Sequence, residues 1–131
     1  MSTASRSEAL TDGVRVEVEA YYPAEHSDPG QLWFFLYTIR ITNEGSETCQ
    51  LVSRHWLITD ATGQVKEVQG PGVVGEQPVL EPGQAFEYTS GCPLETPFGS
   101  MEGRYQMVSA DGDAFEVVIA RFDLREPRAI H

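Results

Sequence analysis

The stretch GPGVVG sets Gly70, Gly72 and Gly75 at the GxGxxG spacing used by dinucleotide-binding loops. That chemistry needs a strand before the glycines and a helix after them. The first amides of the helix and its dipole then hold the pyrophosphate. Here the continuation is GEQPVLEPG, and Pro78 and Pro82 forbid an unbroken helix. Pro71 removes a further amide donor. The stretch therefore reads as a sheet-crossing loop whose glycines take positive φ. A weaker alternative stays open, in which successive glycine amides form a concave nest for a nucleotide or pyrophosphate. Lys66 or Arg54 would supply the positive charge.

Ser53-Arg54-His55-Trp56 is the second chemically loaded stretch. Arg and Trp are favoured at the centres of binding surfaces, and plain β-formers would otherwise serve there. Arg54 and Trp56, with the Gly70–Gly75 loop, are therefore the candidate partner-binding surface. The competing reading is a core Trp56 with Arg54 paired to a carboxylate. Ser90-Gly91-Cys92 is the one stretch suggestive of a nucleophile, but it lacks the GxSxG spacing. No catalytic residue is assigned. His26 with Glu25 and Asp28 offers at most weak chelation, and no HxxxH, HExxH or CxxC spacing occurs. No metal site and no cofactor is assigned.

These residues sit in a chain patterned as strands. VRVEVEAYY (14–22) alternates Val14, Val16, Val18 and Ala20 against Arg15, Glu17 and Glu19, the period of a half-buried strand. LWFFLYTIRITN (32–43) places Phe35, Tyr37, Ile39 and Ile41 on one face. CQLVSRHWLITD (49–60) is a third strand with a less clear inward set. Arg54 shares a parity with Val52, Trp56 and Ile58, which implies either an edge position or a face-switching bulge. AFEYTSG (85–91), MEGRYQMVSA (101–110) and AFEVVIARFDL (114–124) continue the series, the last two joined at Asp111-Gly112. PLETPFGS (93–100) reads as a loop. Residues 1–12 carry no pattern and read as a flexible lead-in, 13–124 as the domain and 125–131 as a tail. Seven or eight short strands with Gly/Pro/Asp turns predict an all-β, two-sheet antiparallel sandwich of the immunoglobulin or fibronectin type III kind.

A chain of 131 residues with 40% hydrophobic content builds one core. Its formal charge of −11 is spread along the whole length, which disfavours nucleic acid and anionic membranes. The N-terminus lacks the apolar stretch of a secretory signal, and no apolar run approaches the ~20 residues of a membrane helix. These features, with Cys49 and Cys92 as free thiols, predict a cytoplasmic protein. A Cys49–Cys92 disulfide is the alternative that the sequence leaves open.

Finally, SRHWLITD, the GVVGEQP core, EYTSG and the run Gly99, Met101, Gly103, Tyr105, Met107 together resemble the ApaG family over about residues 12–124. The resemblance implies a fibronectin type III-like sandwich in a cytoplasmic bacterial protein. It also implies an association with cobalt resistance and magnesium efflux, and related domains inside F-box proteins and a polymerase-interacting protein look like protein-interaction modules. The expectation is a non-enzymatic module that binds a protein partner, with homodimerisation through edge strands possible in principle. Nucleotide or pyrophosphate binding at GPGVVG is the first alternative, and direct divalent-cation binding by acidic loops the second.

Overall fold

The structure, a computed structural model, describes residues 4–23 and 32–127. Nine strands follow in chain order: β1 (Ser5–Thr11), β2 (Val14–Tyr21), β3 (Trp33–Asn43), β4 (Cys49–Asp60), β5 (Val65–Pro71), β6 (Val79–Leu80), β7 (Ala85–Leu94), β8 (Phe98–Ser109) and β9 (Ala114–Arg125). They form two antiparallel sheets, one in the order β1-β2-β3-β7 and the other β5-β4-β8-β9, with β6 paired to the start of β4. The fold is the two-sheet sandwich that the alternation predicts. Val14, Val16, Val18 and Ala20 of β2 and Phe35, Tyr37, Ile39 and Ile41 of β3 are all buried in its core.

Three expectations about boundaries need correction. Ser5–Thr11 is not a flexible lead-in but a strand paired with β2 along its whole length. Asp12-Gly13, both with positive φ, make the two-residue hairpin turn between them. Leu94 and Phe98 both lie in strands, so the expected loop at 93–100 shrinks to residues 95–97. β9 also extends to Arg125, one residue into the expected tail.

The uncertain parity of β4 has a specific cause. Its pairing with β8 shifts between Leu51 and Ser53, so Val52 is a bulge. Cys49 and Leu51 face the core before the bulge, and Trp56 faces it afterwards. In β9 a second irregularity lets both Ile119 and Phe122 point inward. Asn43 is buried without strain, because its amide donates to the Glu47 and Leu80 carbonyls and its Oδ1 accepts from the Gly45 amide.

The two flanks of the sandwich differ. On one side β1 packs against β9, with Ser7 Oγ donating to the Ala120 carbonyl at 2.8 Å and the Val118 amide donating to Thr11 Oγ1 at 3.2 Å. On the other side, among the described residues, the edge strands β5 and β7 scarcely approach one another, and the inter-sheet space opens outward.

Candidate functional site

The open flank holds a cleft of about 770 Å³, within the usual range of ligand and peptide sites. Alternation builds its walls. In β5 the residues at even positions, Lys66, Val68 and Gly70, lie opposite Ile58, Trp56 and Arg54 of β4. From the other sheet come Ser90, Cys92 and Leu94 of β7, with Tyr37 of β3 beneath them. Trp56 forms the floor in edge-on contact with Tyr37 and Phe122, at centroid separations of 5.6 and 6.0 Å. Beside it a smaller space, lined by Arg54, Tyr37, Val73 and Val74, continues the cleft under the glycine loop.

Arg54 and Trp56 therefore share one site, but in different roles. Trp56 is only 2% exposed, so it is a core residue whose edge lines the cleft and not a surface anchor. The Val52 bulge turned its ring inward. Ser53 and His55 point to the opposite face, where His55 Nε2 lies 2.6 Å from Glu67 and Ser53 Oγ lies 2.7 Å from Gln106. His55 thus cannot serve Ser90 or Cys92 as a base.

The Arg54 guanidinium reaches the glycine loop. Its Nη1 donates to the carbonyls of Pro71 at 2.9 Å and Gly72 at 2.8 Å. The loop turns carbonyls, not amides, toward this cation. Its amides are largely committed within the protein: Gly72 donates to Val52, while Val73 and Glu76 exchange a reciprocal pair at 2.8 Å. That pair closes a two-residue hairpin with Val74 and Gly75 at positive φ, 43° and 81°. No helix follows the glycines. This geometry gives the amide-nest alternative no donor crown.

The three glycines differ in purpose. Gly72 and Gly75 take the expected positive φ, and a Cβ on Gly72 would meet the Glu76 carbonyl at 2.3 Å. Gly70 has ordinary φ; its missing side chain leaves room for Arg54, whose Nη2 would lie 3.2 Å from a Cβ there.

Below Arg54 lie three buried phenols. Tyr88 and Tyr105 hydroxyls are 2.6 Å apart, and the Tyr37 hydroxyl bonds Ser90. Burial pushes all three above the usual phenol range, partly offset by the charge of Arg54. The Cys92 thiol is likewise pushed up to about 11 by burial, against a small opposing pull from Lys66. A thiol held protonated in this way is a poor nucleophile. Cys49 and Cys92 are both free and buried, at opposite ends of the sandwich. Among the described residues no group of three or more potential metal ligands occurs; Glu25, His26 and Asp28 lie outside them.

The site's charge is the feature that sequence reading undervalued. Arg6, Arg15, Arg40, Arg104 and Arg125 each pair with a carboxylate. Among the described residues Arg54, Lys66 and Arg121 do not, and the first two converge on the cleft. Lys66 is the chain's single lysine. The signal was its even position, shared with Val68 and Gly70.

Residues 23–109 match the ApaG domain model. The chain is 58% identical over 119 residues to Protein ApaG of Rhodospirillum centenum, covering 90% of this chain and 92% of that protein. It superposes on the crystal structure of the putative ApaA protein from Bordetella pertussis with a TM-score of 0.85 at 55% identity, covering 88% and 95% of the two chains. The C-terminal domain of wzt shares the fold alone, with a TM-score of 0.54 at 11% identity over 95% of this chain and 80% of that one. No helix among the described residues is long and apolar enough to cross a membrane.

Proposed function

The chain belongs to the ApaG domain family, and from that premise we propose that it is a non-catalytic module that binds a protein partner through the β5–β7 cleft. One observation carries this reading: the flank that the described residues leave open between two edge strands is also where two cations without carboxylate partners among those residues meet an aromatic floor. An edge strand offers unpaired backbone groups to an incoming segment, and the cleft gives its side chains somewhere to go. Exposed Val65 and Val74 sit at the two ends of the opening.

The same geometry favours binding over catalysis. The nucleophile candidate Cys92 is buried and protonated, Ser90 is bonded to Tyr37, and His55 faces away. On this reading the cobalt and magnesium association of the family is exercised through the partner and not by chelation. Affinity capture with the wild type and with Lys66→Glu tests it. A protein retained by the first and lost by the folded second is the expected result. Retention of nothing above an unrelated acidic sandwich counts against the proposal.

A further inference from the structure

Lys66, Val68 and Gly70 occupy alternate positions on β5, which among the described strands pairs with β4 alone; Lys66 and Val68 line the cleft, and Gly70 lies over the Arg54 guanidinium. A segment added beside β5 would place its own alternate side chains next to these three, about 5 Å away across the new ladder. The first position is a cation. The second is apolar. The third has no side chain, so the Arg54 guanidinium behind it is reachable from the edge. We infer that the partner supplies an extended strand of the pattern acid–x–apolar–x–acid, added to β5, with one carboxylate at Lys66 and the other reaching Arg54 over Gly70. This inference rests on the protein-binding reading above and specifies its chemistry.

Charge complementarity favours this occupant over a second copy of the chain. The pattern is the same in both directions, so it suits a parallel or an antiparallel strand. A second copy of β5 is a poor match, because its alternate set is again Lys66, Val68 and Gly70 and brings no carboxylate. The net charge of −11 opposes an acidic strand at long range, but screening at physiological salt acts over about 8 Å and leaves the two nearby cations dominant. Asp60 and Glu95 line the end of the cleft beyond Lys66, so a third acid in that direction is disfavoured.

The test is a titration of the isotope-labelled full chain, followed by NMR, with three acetylated and amidated peptides. The first carries Glu-Thr-Val-Thr-Glu, the second the same composition as Glu-Glu-Val-Thr-Thr, and the third Lys-Thr-Val-Thr-Lys. The expected result is shifts confined to β5 and the Arg54 side chain with the first peptide, slowed amide exchange along β5, and binding weakened roughly fivefold by Lys66→Glu. Lys66 is exposed, so that variant keeps the fold, and its thermal melt verifies this. Equal binding of the rearranged peptide overturns the inference, as do shifts centred on another edge, or the same shifts from pyrophosphate alone. If partner capture depends on Lys66 while the peptides fail, the strand chemistry is wrong and the protein-binding reading stands; if both fail, both fall.

Discussion

The Arg54 guanidinium fills the space that a side chain on Gly70 would occupy. A Cβ built there lies 3.2 Å from Nη2 and 3.3 Å from Nη1. A cation from the inner strand β4 is thereby held at the outer edge of β5, bonded to the Pro71 and Gly72 carbonyls. The glycine spacing that suggests phosphate binding is, in part, a slot for an arginine.

This distinction separates three substitutions. Gly72→Ala places Cβ against the Glu76 carbonyl at positive φ and should cost about 3 kcal/mol. Gly75→Ala has open space around it and bears only the φ penalty, about 1 kcal/mol. Gly70→Ala should change stability by less than about 1 kcal/mol, since the arginine tip can shift, but it displaces Arg54 and weakens binding. Chemical denaturation with unchanged m-values checks the order.

Val74 is a β-branched residue at φ 43° and is 54% exposed. A two-residue hairpin of this kind prefers Asn-Gly or Asp-Gly, so the valine is locally unfavourable. Val74→Asn should raise stability by about 1 kcal/mol. If the apolar side chain is kept for a partner at the cleft's end, the same change should weaken capture. A gain in stability with unaltered binding would make Val74 irrelevant to recognition.

The buried tyrosines give an alkaline limit. Tyr37, Tyr88 and Tyr105 have phenol pKa values raised above the ordinary 10.0, chiefly by burial. Their contribution is fully present below pH 10, where both folded and unfolded chains hold the protons. Above it the unfolded chain releases protons and the folded one does not, so stability falls as pH rises. The slope should approach about 1.4 kcal/mol per pH unit per tyrosine. Absorbance at the phenolate band should show these three ionising together with unfolding.

Removing residues 1–12 should destabilise the whole domain. β1 covers the flank where β2 and β9 meet, and its loss removes the Ser7 and Thr11 contacts to β9 and exposes the edge of β2. A lowered melting midpoint with loss of cooperativity is expected. An unchanged melt would return this segment to the role of a loose lead-in.

Much of this architecture is legible in the residues. Strict alternation in 14–20 and 35–41 identifies β2 and β3 and their inward faces without ambiguity. Three parts were hidden, each for a physical reason. Asp12-Gly13 is as strong a hairpin signal as Asp111-Gly112, but the small polar residues before it show no apolar face, because β1 is an edge strand with half-exposed positions. The Val52 bulge breaks the period of β4 in mid-strand, and no residue type announces it. Consequently Arg54 and Trp56 read as a surface pair, whereas one is the floor and the other a strut under the loop. The open flank is legible only in three dimensions, since it depends on which edges meet.

Photo-crosslinking in cells tests the recognition site most directly. A photoreactive phenylalanine analogue at Val65, 61% exposed beside the cleft, is compared with one at Leu10, 54% exposed on the edge strand of the opposite flank. A protein partner should be trapped from position 65, not from position 10, and should vanish when Lys66→Glu is added. Equal trapping from both positions, or trapping that survives the charge reversal, would contradict recognition at the β5–β7 cleft.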